Sequence, residues 1–73
     1  MVHHVYSVTP RENGWAVEHI GKTLNIYPTQ DEAEAAADRL AKMTQVSGHD
    51  AELIVEGEHG EVQSDQIYRR VER

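Results

Sequence analysis

Hydrophobic and polar residues alternate in three short segments near the start of the chain, which is the pattern of strands that bury one face. The segments are 5–8 (VYSV), 15–19 (WAVEH) and 23–27 (TLNIY). Thr9-Pro10 should end the first strand, and turns should form at Asn13-Gly14, where both residues tolerate a positive φ, and at Gly21-Lys22. The pattern predicts a three-stranded antiparallel meander.

A change to helical spacing follows at Thr29. Thr29 and Glu32 have the spacing of a capping box, which places the start of a helix here. Gly48 can adopt the left-handed conformation that ends a helix. Between them, apolar residues recur at steps of three and four and should form one buried stripe. The stripe comprises Ala33, Ala36, Ala37, Leu40 and Met43.

Alternation returns in residues 51–56 (AELIVE), which predicts a fourth strand. Glycines in 57–60 should turn the chain, and 61–63 could return as a short edge strand. Ile67 and Tyr68 form a last apolar pair that could dock on the fold. We therefore expect an α+β fold, with an antiparallel sheet of four to five strands and one helix packed on one face. Its order is β-β-β-α-β, with a terminal hairpin as an extension.

The length of 73 residues favours one domain, which we assign to residues 1–68. Residues 69–73 form a basic C-terminal tail, which we expect to fray. A chain of this size buries only about 60% of the surface that its unfolded form exposes, so a second copy could complete the core. A homodimer is therefore one alternative.

One helix can cover only one face of such a sheet, so the strand residues divide into two sets. The predicted core comprises Tyr6, Val8, Trp15, Val17, Leu24, Ile26, Leu40, Leu53 and Val55. The uncovered face carries carboxylates beside apolar residues, which is typical of a docking surface for a basic protein segment. Its candidate interaction residues are Glu18, Asn25, Tyr27, Glu52, Ile54 and Glu56. The alternative is a solvated face with scattered apolar residues.

Charge narrows the choice of partners. The net charge is −6, and residues 1–68 alone carry four basic and twelve acidic residues, or −8. Such a body repels phosphate backbones, so nucleic-acid binding is disfavoured. No segment has the apolar length of a secretory signal or a membrane span, so we expect a cytoplasmic protein with no membrane contact.

The residue types that carry catalysis or bind metals lack a recognisable pattern. The candidate nucleophiles Ser7, Ser47 and Ser64 belong to no motif. Five histidines occur, but the spacing of His49 and His59 matches no metal site, and the chain has no cysteine. We expect no enzyme activity, cofactor or metal. Trp15 could serve as a stacking platform for a ligand, but we assign it to the core.

The order of motifs resembles the bacterial family of domains of unknown function DUF2188. The resemblance lies in residues 14–17 (GWAV), in 29–33 (TQDEA) opening an alanine-rich helix, and in 51–55 (AELIV) before Gly57 and Gly60. It spans roughly residues 5–68 and implies a fold and a bacterial or phage setting, without an activity. The acidic 57–60 turn departs from members that carry a basic residue there. The β-β-β-α order of residues 5–45 is also similar to the arm-binding domains of phage integrases, which read DNA with the sheet.

Together these observations favour a small non-enzymatic protein-interaction module that acts through the uncovered sheet face and could self-associate. The alternative is a nucleic-acid-binding sheet of the integrase arm-binding type.

Overall fold

The computed structural model describes residues 3–71, which contain five strands and one helix in the order β-β-β-α-β-β. The elements are β1 (His3–Arg11), β2 (Gly14–His19), β3 (Lys22–Tyr27), α1 (Gln30–Val46), β4 (Asp50–Glu56) and β5 (Val62–Tyr68). The expected α+β class, with one helix on one face of the sheet, is confirmed. The terminal hairpin exists, and its second strand is longer than the three residues expected.

The sheet is mixed, which corrects the expectation of a purely antiparallel sheet. The strands lie in the order β3-β2-β1-β4-β5. The β1–β2, β2–β3 and β4–β5 hairpins are antiparallel, but β4 lies beside β1 and runs parallel to it. A parallel neighbour requires a crossover connection, and α1 provides it.

The first strand extends through Pro10, where the sequence predicted its end. Pro10 lies opposite Trp15 in the β1–β2 hairpin, whereas the pairing of β1 with β4 ends at Val8 and Val55. Proline cannot donate a ladder hydrogen bond and is tolerated where a strand has only one neighbour. The strand therefore continues as one half of a two-stranded ribbon, and residues 12–13 form the turn.

The third strand presents the face opposite to the predicted one. Tyr27 pairs with Trp15, and Ile26 pairs with Ala16. A register shift leaves Leu24 unpaired, because Val17 faces Asn25 while Glu18 faces Thr23. Leu24 and Ile26, predicted as core, are consequently 49% and 38% exposed. A shift of one residue in strand pairing moves every apolar side chain of a strand to the other face of the sheet. The bulge in the β2–β3 pair also breaks the regular alternation from which Leu24 and Ile26 were predicted to face the helix.

Helix α1 begins at the predicted cap. Thr29 has extended backbone geometry, and its hydroxyl accepts the Glu32 N–H at 3.2 Å. Gly48 has a φ of 94° and donates its N–H to the Gln45 carbonyl at 3.1 Å, which ends the helix as predicted. The buried stripe continues through Ala41, and Met43 is 66% exposed, which corrects that position.

The core lies between α1 and the inner face of the sheet. Tyr6, Val8, Val17, Leu53 and Val55 are buried there with the helix alanines. Trp15 and Leu40 are only partly buried and pack against the edge of this cluster. Four alanines on α1 allow the helix backbone to approach the sheet closely, so the core is thin.

The last described residues are attached to the fold, which corrects the expected fraying as far as they extend. The Arg70 N–H donates to the Asp50 carboxylate at 2.9 Å, and the Val71 N–H donates to the Gln45 carbonyl at 3.1 Å. The rest of the predicted tail, residues 72–73, lies outside the described residues.

Candidate functional site

Helix α1 leaves one face of the sheet without a covering layer in residues 3–71. The buried alanines of α1 pack in one cluster with the inner-face side chains of β1, β2 and β4. We call the other side the open face. Its aliphatic members are Val5, Ile26, Ile54, Val62 and Ile67, and its acidic members are Glu18, Glu52, Glu56 and Asp65.

Two adjacent rows of side chains form the centre of the open face. In one row Val5, Glu52 and Ile67 are partners across β1, β4 and β5. In the next row Ser7 pairs with Ile54, which pairs with Asp65. Directly opposite side chains on one sheet face have Cβ atoms about 5 Å apart, so aliphatic and acidic groups alternate at contact distance.

Of the six predicted interaction residues, the structure brings four to this face and removes two. Glu18, Glu52, Ile54 and Glu56 lie on it. Tyr27 packs against the core cluster on the inner side. Asn25 pairs with Val17 and so shares the inner side with Tyr27. The cause is the register of β3 described above.

Glu52 and Asp65 bring two carboxylates together on the open face. A hydrogen bond with Glu52, together with burial and the Glu52 charge, raises the pKa of the Asp65 carboxyl above its ordinary value. Two carboxylates on neighbouring strands repel one another when both are ionised. Ionisation of Asp65 is therefore less favourable beside Glu52 than it would be in isolation.

Arg11 is a cationic residue of the open face, and it is already engaged. The Arg11 guanidinium donates to the Glu18 carboxylate, and the Thr9 hydroxyl donates to the same carboxylate at 3.4 Å. Glu18 and Asp65 belong to the same row on β2 and β5, three strand spacings or about 14 Å apart. Arg11 therefore pairs with Glu18 at the β2 end of the face, whereas Glu52, Glu56 and Asp65 lie at the β4–β5 end.

Sequence reasoning missed the β5 members Val62, Asp65 and Ile67, because β5 was expected to be short. Residues 64–68 (SDQIY) do alternate, with Asp65 and Ile67 on one side and Tyr68 on the other. That signal was weak because only Ile67 and Tyr68 are large and apolar. Tyr68 is buried, and its hydroxyl donates to the Asp38 carboxylate on α1.

A histidine cluster lies on the inner side beside the C-terminal end of α1. His4 Nδ1 and His19 Nε2 are 3.1 Å apart, and the His49 ring meets His4 edge-on. Tyr6 stacks on His19 at 4.5 Å and shares a 2.7 Å hydrogen bond with the Thr44 hydroxyl. Burial, followed by the charge of His4, lowers the pKa of His19. The cluster joins β1 and β2 to α1.

The candidates for metal binding and nucleophilic chemistry do not converge in the described residues. No group of three or more His, Cys, Asp or Glu side chains there could hold a metal ion. Ser7 is on the open face and Ser64 pairs with Val55, whereas the Ser47 hydroxyl donates to the Met43 carbonyl at 2.8 Å. The side chain of His3, one of the histidines considered, lies outside the described part.

Comparison with known proteins identifies the family but no activity. The bacterial family described as an uncharacterized protein conserved in bacteria, DUF2188, matches residues 6–68. The chain belongs to this family. No curated protein and no solved structure matches, so the likeness to integrase arm-binding domains stays a prediction from the element order. Within residues 3–71 no helix of this DUF2188 member is long and apolar enough to cross a membrane.

Proposed function

We propose that this DUF2188 domain is a small protein-interaction module whose open face binds a basic, partly apolar segment of another protein. The observation that supports the proposal is the uncovered face itself, in which aliphatic side chains alternate with carboxylates. Val62 and Ile67 are 61% and 51% exposed on it. Apolar anchors supply contact area, and carboxylates supply orientation and a preference for cations.

The Glu52–Asp65 pair favours a basic partner over other occupants. A Lys or Arg side chain placed between the two carboxylates would replace their repulsion with attraction. The pKa of Asp65, raised in the free domain by Glu52, should then fall on binding.

Charge disfavours the two other occupants. In a two-fold dimer the same patch lies on both sides of the interface, so an acidic face would meet a second acidic face. Nucleic acid would bring phosphates to the same carboxylates, with Arg11 already engaged by Glu18. A homodimer is therefore an outcome of the test below, and nucleic-acid binding stays disfavoured by charge. The cytoplasmic, non-enzymatic role expected from the sequence stays part of the proposal.

The direct test is an NMR titration with an eight-residue peptide of alternating Lys and Val. The matched control peptide has Glu in place of each Lys. We expect the Lys peptide to shift the amide signals of β4 and β5 saturably, while signals from α1 stay in place. The Glu peptide should cause no saturable shift. Equal shifts with both peptides, or shifts confined to α1, would contradict the proposal.

Removal of the carboxylates tests the charge requirement. Glu52→Gln and Asp65→Asn should each lower the affinity for the Lys peptide about two- to fivefold, as expected for the loss of one exposed charge pair. Glu34→Gln removes a carboxylate from α1 and should leave the affinity unchanged. Light scattering on the unmodified protein should give a monomer mass; a concentration-dependent dimer that Asp65→Asn strengthens would assign the face to self-association instead.

Asp65→Asn should also stabilise the folded domain at neutral pH. A carboxyl with a raised folded-state pKa contributes stability below its unfolded pKa of 3.8 and loses it as the pH rises through the folded value. The variant should therefore have a higher urea midpoint than the parent at pH 7, and this difference should disappear below the unfolded pKa. Glu12→Gln in the first turn is the control for net charge. An equal gain from both variants would show that the Glu52–Asp65 contact is not the cause.

A further inference from the structure

A cleft opens around Trp15 at the end of the molecule where α1 begins. Two adjoining cavities of about 510 and 490 Å³ share Trp15, Pro28 and Glu58 as walls. Trp15 is half-buried, with part of its side chain packed against the core and part available to the cleft. Arg11 lines the smaller cavity and also belongs to the open face, but the other residues that line this Trp15 cleft are not members of that face.

Hydrogen bonds fix the walls of the larger cavity. The Gln30 side chain donates to the Glu56 carbonyl at 2.9 Å and to the Gln63 side chain at 2.7 Å, which joins the start of α1 to the β4–β5 hairpin. The Glu61 carboxylate accepts the His59 N–H at 3.0 Å. A Cβ on Gly57 would lie 2.4 Å from that carboxylate, so glycine provides the space in which Glu61 folds back over the turn.

The polar lining of the cleft favours a cation. Asp31, Glu58 and Glu61 line the larger cavity, and Glu12 joins Glu58 in the smaller one. Arg11 on the rim donates to Glu18 and so does not neutralise them. The N-terminal end of α1 would attract an anion, but Thr29 already caps it, and any anion in the cleft would meet three carboxylates.

We propose that the Trp15 cleft binds the guanidinium group of an arginine side chain from a partner. A planar guanidinium stacks on an indole face and at the same time donates to a carboxylate, which a compact ammonium does less well. Glu58 lines both cavities together with Trp15, so it is the carboxylate that we assign as acceptor for a guanidinium stacked on the indole. The inference does not depend on what binds the open face.

Trp15 is the single tryptophan of the chain, so fluorescence excited selectively at tryptophan comes from the residue that lines this cleft. The probe is N-acetyl-arginine amide, and the control is N-acetyl-citrulline amide, which has nearly the same shape and no charge. We expect a saturable change in Trp15 emission with the arginine probe and none with the citrulline probe. No saturable change with arginine, or the same change with both, would overturn the proposal.

Variants separate this cleft from the general acidity of the chain. Glu58→Gln should lower the affinity for the arginine probe about threefold or more, whereas Glu34→Gln and Asp65→Asn should leave that affinity unchanged. Circular dichroism checks that each variant is folded, and the affinity of the unmodified protein should fall as salt is added. If Glu58→Gln and Glu34→Gln weaken binding equally, the response is due to net charge and the cleft is not a specific site.

Discussion

At the scale of single residues, one glycine permits the hairpin that carries Trp15. Gly14 has a φ of 139°, and a Cβ at this position would lie 2.3 Å from the Tyr27 carbonyl oxygen on the neighbouring strand. Both the backbone conformation and the close approach exclude a side chain. The sequence indicated a turn at Asn13-Gly14, but the approach of Tyr27 depends on the register of β3.

We therefore expect Gly14→Ala to destabilise the domain strongly. The positive φ alone costs about 1–2 kcal/mol for an alanine, and the clash with a backbone oxygen adds to it. Gly48→Ala is the matched control, because Gly48 has a φ of 94° but no atom within 4 Å of an added Cβ. Urea unfolding should show a larger loss of unfolding free energy for Gly14→Ala than for Gly48→Ala. Equal losses would show that the nearby Tyr27 carbonyl oxygen does not contribute to the cost.

The predictions made from residue patterns succeeded where the environment of a residue is local. Thr29 and Gly48 bound the helix as expected, because a cap needs only residues three or four positions away. Leu24 and Ile26 were assigned to the wrong face, since the bulge in β3 depends on how the strand pairs with β2. Tyr27 was placed on the candidate face for the same reason.

At the scale of elements, a partly buried hydrogen bond joins β5 to α1. The Tyr68 hydroxyl donates to Asp38, and this bond, ahead of the neighbouring cations, lowers the pKa of the Asp38 carboxyl. Burial and the same carboxylate raise the pKa of Tyr68. The contact therefore attaches an edge strand, which has only one neighbour in the sheet, to the helix.

Tyr68→Phe should lower the free energy of unfolding by about 1–2 kcal/mol, because the hydroxyl is lost and a partly buried carboxylate loses a donor. Tyr27→Phe is the control, since its hydroxyl only accepts from the exposed Asn25 amide at 3.4 Å. Its cost should be smaller in the same thermal or urea unfolding experiment. In Tyr68→Phe the Asp38 pKa, followed by NMR, should rise towards its ordinary value; an unchanged pKa would contradict the assigned hydrogen bond.

At the scale of the whole molecule, the histidine cluster makes stability depend on pH. His19 has a folded-state pKa below the ordinary 6.5, so the unfolded chain binds more protons as the pH falls through that value. The contribution of neutral His19 is complete above 6.5 and is lost on acidification. The charge of His4 contributes to this effect, because after burial it is the second cause of the lowered His19 pKa.

The unfolding free energy should therefore fall as the pH is lowered through the ordinary histidine pKa of 6.5. His19→Gln should reduce this dependence, whereas His59→Gln in the β4–β5 turn should leave it as in the parent. Urea denaturation at a series of pH values measures the slope. A slope that is the same in the parent and in His19→Gln would show that the cluster does not control it.

The sequence by itself determined the features that depend on near neighbours along the chain. These include the helix and its ends, the presence of strands, the inward side of β4 and the acidic charge of the body. The tertiary structure decided which strands became neighbours. It placed β4 parallel to β1, turned Ile26 outwards, and brought Glu52 to Asp65 and His4 to His19. These contacts depend on pairing between distant segments of the chain. Alternation of apolar and polar residues shows which face of a strand points inwards, but the same alternation fits every register that keeps that face inwards, so it cannot specify the pairing.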